Sequence, residues 1–296
     1  MYNNIKELVE VAEKDKLPIW KVILKNEMKV SSLTEEEIFE NLSKRYEVMK
    51  NSAEKALNKS FHTVGSLIEG ITAPQYTYAN TDKTICGSFI NKVMARALSC
   101  SEVNASMGKI CAAPTAGACG ILPAVMVSLE EKFNLDRRKV LEGLLVASGI
   151  GAIITKNATV SGAEGGCQAE CGVAAAMSAA ASVQLLGGTN DMIENSCCFA
   201  LMNVMGLVCD PVAGLVQVPC AQRNASQAIN GILSADLALA GMKSLIPVDE
   251  VVEAMYKVGR MLPVELRETA LGGVANTPMG KKVYRDIFGG EDCCDK

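Results

Sequence analysis

From about residue 85 onward the sequence is rich in Ala, Gly, Cys and Met and poor in charge, and this stretch limits the possible folds more than any other feature. Segments such as Asn91 to Ser101, Leu135 to Ile154, Gly172 to Leu186 and Ser196 to Val208 lack strict apolar–polar alternation. Ala and Met favour helix over strand, and small side chains let helices pack closely. Aromatic residues make up only 4% of the chain and β-branched runs are few, which argues against a sheet-dominated fold. The expected fold is mainly α, a compact helical domain with glycine-rich loops between the helices.

The first sixty residues carry more charge and a clearer helical pattern. Thr34-Glu35-Glu36-Glu37 reads as a capping box, in which Thr34 and Glu37 reciprocally satisfy backbone amides that have no helical partner. Ile38, Leu42, Met49, Ala53 and Ala56 then follow at helical spacing and form one apolar stripe. Such a stripe is buried either against the rest of the chain or against a partner. With no internal repeat, low-complexity segment or linker, residues 1–296 are read as one domain, with 1–60 as an N-terminal amphipathic helical region.

A 296-residue chain that is 49% hydrophobic can bury a large core. A net charge of −4 implies no basic face for nucleic acid or an anionic membrane. The charged opening, Lys6 to Lys16, excludes a secretory signal there, so a cytoplasmic location is expected. Two uncharged stretches, Ile110–Leu129 and Cys171–Asn190, approach the ~20 residues needed to span a bilayer. Pro114 and Pro123 break the first, and the second ends in Gly187-Gly-Thr-Asn190, so neither reads as a membrane helix. Small-molecule chemistry is the remaining expectation.

Twelve cysteines in a reducing compartment need an explanation other than disulfides. About two thirds are assigned to plain core packing, since free cysteine is a small and frequently buried hydrophobe. Three glycine- and proline-rich segments hold several of the rest: 111–123, 161–172 and 209–224. Glycine permits close approach to a ligand, and amides freed from helices can form an anion-binding nest suited to a carboxylate. Cys167 sits in the second segment, and Cys209 and Cys220 bracket much of the third. Three converging thiolates would suit zinc, copper(I) or an iron–sulfur cluster, and their spacing does not choose among these.

The segments SEVNASMGKICAAPTAGACGILPAV (101–125), SGAEGGCQAECGVAAAMSAAA (161–181) and LVCDPVAGLVQVPCAQRNA (207–225) resemble the characteristic blocks of the iron–sulfur L-serine dehydratase alpha chain, over about residues 85–280. The resemblance implies a lyase that converts L-serine to pyruvate and ammonia, with a four-iron four-sulfur (4Fe-4S) cluster held by Cys167, Cys209 and Cys220. Three protein ligands for four irons leave one iron open for Lewis-acid chemistry on the substrate hydroxyl. The resemblance also implies a hetero-oligomer in which a beta chain completes the active site, so the proton acceptor is left open and no catalytic base is assigned here.

For substrate contacts the expected residues are Asn104, Ser106, Thr115 and Gly117, polar or small positions beside the first segment. Helix capping or internal hydrogen bonding would equally explain Asn104 and Ser106. Arg223 has two candidate partners, Asp210 and the substrate carboxylate. His62, the single histidine, lies outside the matched blocks and is read as structural. Cys119 and Cys171 stand where relatives are expected to carry Ser and Val, and Cys171 lies one helical turn from Cys167. Some relatives place a C-terminal cysteine on the open iron, a role that Cys293 or Cys294 would take here, although an idle pair at a mobile terminus is the plainer reading.

Three alternatives stay open. One is a cluster-dependent lyase acting on threonine or cysteine. Another is a pyridoxal-phosphate dehydratase built on Lys109 or Lys156, for which no convincing local pattern is present. The last is a noncatalytic subunit whose thiols pack a core.

Overall fold

The computed structural model describes residues 2–289, so Cys293 and Cys294 lie outside the described residues. Among the described residues there are α-helices and short helical turns but no strand, apart from an isolated parallel bridge between Cys209 and Arg267. The mainly α expectation is therefore met.

The helix at the centre is α9 (Val173–Leu185), with the sequence VAAAMSAAASVQL, in which every residue except Gln184 is buried. A helix apolar on all sides belongs inside a protein. Its two serines donate back to carbonyls one turn earlier, Ser178 Oγ to Ala174 at 2.8 Å and Ser182 Oγ to Ser178 at 2.7 Å, so no buried hydroxyl is left unpaired. Around α9 pack α6 (Ile121–Phe133), α7 (Arg137–Asn157), α10 (Asn190–Met202) and α11 (Cys220–Leu239). Contact is close enough that a Cβ at Gly231 of α11 would lie 3.0 Å from Ser178 Cβ, and one at Gly143 of α7 would lie 2.9 Å from Leu185. Helix α7 is long and apolar enough to cross a membrane, but 67% of its apolar window is buried in this core.

The N-terminal region forms α1 (Ile5–Asp15), α2 (Ile19–Ser31) and α3 (Glu35–Lys55). Both halves of the capping box are present at the start of α3: Thr34 N donates to Glu37 Oε2 at 2.8 Å, and Glu37 N to Thr34 Oγ1 at 3.3 Å. The apolar stripe lies against α6, α7 and α5 (Gly87–Ala105), with Ile38, Met49, Ala53 and Ala56 buried. This chain therefore covers the stripe itself. Buried Tyr46 donates to Glu130 Oε2 at 3.0 Å, which anchors α3 to α6.

Helix α10 ends at Met202, short of the expected Val208, and begins at Asn190 rather than Ser196. Past Met202 the bonding tightens, Val204 N donating to Leu201 O and Met205 N to Met202 O, both at 3.3 Å. Gly206, with a left-handed φ of 85°, then turns the chain with its N–H taken by the Gln168 side chain at 2.7 Å. Residues 161–172 are also more ordered than a loop. They form a short helix, α8 (Gly162–Gly165), and a π-helical turn (Gln168–Gly172) that runs straight into α9.

The remaining helices are α4 (Thr72–Ala79), α12 (Val248–Met261) and α13 (Pro278–Phe288). Residues 57–72 reach α5 through Glu102, which is fully buried and accepts four hydrogen bonds. Its Oε1 takes Phe61 N at 2.9 Å and Gly70 N at 3.1 Å, and its Oε2 takes Thr72 N at 3.3 Å and Thr72 Oγ1 at 2.7 Å. Removing this acceptor strands several buried donors. Glu102→Ala should therefore lower stability in urea denaturation by about 3–5 kcal/mol, against about 1 kcal/mol for Thr34→Ala. Equal losses in the two variants would show that Glu102 does not hold the 57–72 segment.

Candidate active site

Two buried amides bring the three glycine-rich segments together. Asn224, 1% exposed, donates to Gly117 O at 2.7 Å and Cys220 O at 2.9 Å and accepts from Gly120 N at 2.8 Å, which ties the first segment to the third. Gln168, fully buried, donates to Gly165 O at 3.0 Å and Met255 O at 3.1 Å and accepts from Gly206 N, while its own N–H donates to Leu207 O at 3.0 Å. It thereby locks the turn that carries Cys167 to the segment leading into Cys209. Neither amide was anticipated from the sequence.

Cys209 is held on both sides, its N–H donating to Leu266 O at 2.9 Å and its carbonyl accepting from Glu268 N at 2.7 Å. Cys220 opens α11. Arg223 donates to Val208 O at 2.9 Å and pairs with buried Asp210 at 2.8 Å, and Asp210 also accepts Val274 N at 2.7 Å. The choice between Asp210 and a substrate carboxylate thus falls to Asp210. Non-glycine residues with left-handed backbone flank this region: Met107, Ala213, Glu268 and Ala270, with φ between 57° and 65°. Such conformations cost roughly 1–2 kcal/mol each and cluster at functional sites.

Cys167, Cys209 and Cys220 are buried, and each lies within electrostatic range of the others. Burial, then the charges of Cys167 and Glu170, push the Cys220 thiol up to about 12. The same causes raise Cys209. Cys167 moves the other way, because it shares a sulfur–sulfur hydrogen bond with Cys171 at 3.2 Å, with Arg223 assisting against burial. Cys171 is raised in turn by that hydrogen bond and by burial.

Glu170 sits beside the thiols. It accepts a short hydrogen bond from Thr115 Oγ1, and a Cβ at Gly117 would overlap its carboxylate. Burial raises its pKa, the Thr115 hydrogen bond lowers it, and the charge of Glu268 raises it further. A Cβ at Gly162 would lie 3.0 Å from Cys209 Sγ, 3.2 Å from Glu268 Oε2 and 3.3 Å from Glu170 Oε2, so these three groups converge on one glycine face. Cys167, Glu170 and Cys171 also bring one donor atom each within 4.8 Å of one another.

Thr115 and Gly117 therefore meet the thiol region through Glu170. Asn104 reaches only its neighbour, donating to Ala116 O at 3.3 Å, and Ser106 donates to Val103 O at 2.9 Å at the end of its own helix. His62 is exposed and bonded to Glu69 at 2.8 Å. Lys156 is bonded to Asn3 at 2.9 Å, and Lys109 is exposed. Cys100, Cys119, Cys197 and Cys198 are buried in the core. A cavity of about 520 Å³ lies elsewhere, between α2, α3, α7 and Cys111–Pro114, and includes none of Cys167, Glu170, Cys209 or Cys220. The chemistry-bearing residues identify the site better than the volume does.

Buried soft donors beside carboxylates form an electron-rich site suited to a metal centre. The comparisons with known proteins give the family. Residues 14–275 match the family described as serine dehydratase alpha chain, and the chain belongs to that family. It is 52% identical to the L-serine dehydratase alpha chain of Peptoniphilus asaccharolyticus, across 97% of this chain and 99% of that one. It is 42% identical to the probable L-serine dehydratase alpha chain of Bacillus subtilis, across 98% and 96%. L-serine dehydratase TdcG of Escherichia coli is 34% identical across 93% of this chain, which spans 61% of that longer protein.

The contact between Gly117 and Glu170 leaves no room for a methyl group. Gly117→Ala should destabilise the protein by about 1–3 kcal/mol through overpacking, measured by thermal unfolding. Pairing it with Glu170→Ala should remove most of that loss, whereas additive losses would mean that the two residues do not touch.

Proposed function

We propose that this chain is the alpha component of an L-serine dehydratase that converts L-serine to pyruvate and ammonia, with a 4Fe-4S cluster held by Cys167, Cys209 and Cys220. The observation that carries the reading is the meeting of all three family blocks at one buried site, Thr115 and Gly117 beside Glu170, and Glu170 beside the three thiols. The donor set fits such a group. Ligands of a single ion crowd within a few ångströms of each other, as Cys167, Glu170 and Cys171 do, whereas a multinuclear cage takes thiolates from farther apart. The Cys209 and Cys220 thiols would release their protons to solvent as their sulfurs bind a cationic centre.

When bound, the cluster would supply a Lewis acid at an iron with no protein ligand, making the serine hydroxyl a better leaving group. Thr115 Oγ1 donates to Glu170 and accepts from Ala118 N, which leaves the amides of Ala116 and Gly117 to the substrate, with Asn104 steadying the segment through Ala116. Burial excludes water while the α-proton is transferred to a base. Loss of that proton and of hydroxide leaves an enamine, which tautomerises and hydrolyses to pyruvate and ammonia. No base is assigned on this chain, and the working enzyme is taken as a cytoplasmic hetero-oligomer with a beta chain. Relatives of this length bear the name alpha chain, and the longer Escherichia coli relative bears the undivided name.

A second reading has its own observation. The compact Cys167, Glu170 and Cys171 group is the arrangement a single ion would use. Serine variants separate the two readings in protein purified without oxygen and coexpressed with the beta chain. Cys167→Ser, Cys209→Ser and Cys220→Ser should each lose most bound iron and most pyruvate formation, while Cys171→Ser keeps both. Iron lost from Cys171→Ser but retained in Cys209→Ser and Cys220→Ser would replace the cluster with the single-ion site. Rates with threonine and cysteine in the same assay fix the substrate range.

A further inference from the structure

Three buried carboxylates in this protein have very different surroundings. Glu102 accepts four hydrogen bonds, and Asp210 has the Arg223 ion pair and an amide. Glu170, 8% exposed, accepts from one hydroxyl, that of Thr115, and has no cation in contact. Arg223, the nearest candidate, is already committed to Asp210 and Val208 O. Across Gly162 stands a second carboxylate, Glu268, and the thiol of Cys209. A buried carboxylate left in this condition is costly, and a positive charge brought by a ligand removes the cost.

We propose that Glu170 is a substrate-binding residue whose carboxylate receives the α-ammonium group of the amino-acid substrate. The inference deepens the functional reading above and rests on it. It divides the substrate's three groups among separate parts of the site. The hydroxyl faces the centre bounded by Cys167, Cys209 and Cys220, the carboxylate faces the freed amides after Thr115, and the ammonium meets Glu170. Thr115 Oγ1 holds the Glu170 carboxylate in place, and Gly117 and Gly162 keep side chains away from both its oxygens. Glu170 thereby selects for an amino acid over the corresponding hydroxy acid, since a pocket built around a charge penalises a ligand without its partner.

The test uses the anaerobically prepared holoenzyme with its beta chain and two ligands: serine, and 3-hydroxypropanoate, which is serine without the amino group. Glu170→Gln should raise KM for serine about 10- to 100-fold, the range expected for losing a charge-assisted hydrogen bond. The inhibition constant of 3-hydroxypropanoate should stay unchanged or tighten, and bound iron should match the unsubstituted enzyme. Equal weakening of both ligands would make Glu170 merely structural, and loss of iron from a folded variant would make it a metal ligand. Either result overturns the proposal. Should the Gln variant lose its helix content, Glu170→Asp carries the same comparison, and an unchanged serine KM there overturns it equally. Failure of the unsubstituted holoenzyme to form pyruvate from serine would instead remove the functional reading, and this role with it.

Discussion

Close backbone packing around α9 is the constraint on which the rest of the structure depends. Alanine and serine supply most of its residues, and glycines on α7 and α11 face it, so neighbouring helices approach nearer than leucine-lined surfaces would allow. A core of this kind gains little from any one side chain. Its cohesion comes from many small dispersion contacts at high density, which makes it intolerant of added volume. The π turn bearing Cys167 runs directly into the N-terminus of α9, and Cys220 begins α11, which packs along it. Rigidity in the core is thus passed to two of the three thiols without an intervening flexible loop.

The third thiol needs another device, because Cys209 lies on irregular chain. Gln168 and the two-sided backbone bridge to residues 266–268 supply it. Asn224 does the equivalent for the substrate segment, holding Gly117 and Gly120 against α11. A primary amide suits both tasks, since it donates and accepts at once and carries no charge to be compensated. Lysine or glutamate in either position would leave a buried charge in contact with carbonyls and amides that need only a neutral partner.

What could be read from the sequence follows the range of the interactions concerned. The capping box at Thr34 and Glu37, the apolar stripe of α3 and the helical character of 85 onward depend on residues a few positions apart, and all are present. The family resemblance marked the segments that meet at the site, with a match that starts as early as residue 14. Gln168, Asn224 and Glu170 were not legible, because their roles come from partners such as Met255, Gly117 and Thr115 that lie far off in the chain. Ser106 illustrates a related ambiguity. A polar side chain at a helix end satisfies itself locally as readily as it serves a ligand, and here Val103 O takes the hydroxyl. The turn after α10 was equally hidden, because the Gly206 amide goes to Gln168, a partner 38 residues away.

Charge accounting connects these features to chemistry. Around Gly162 the protein gathers thiols and two carboxylates, and it commits the neighbouring arginine to Asp210. The raised thiols and the raised Glu170 carboxylate share their main cause, burial, to which neighbouring negative charge adds. A fold optimised for stability alone would have placed apolar residues there. Keeping the deficit favours whatever supplies cations, a metal centre against the thiols and an ammonium group against Glu170. Ligand binding then relieves strain that the folded chain holds in readiness.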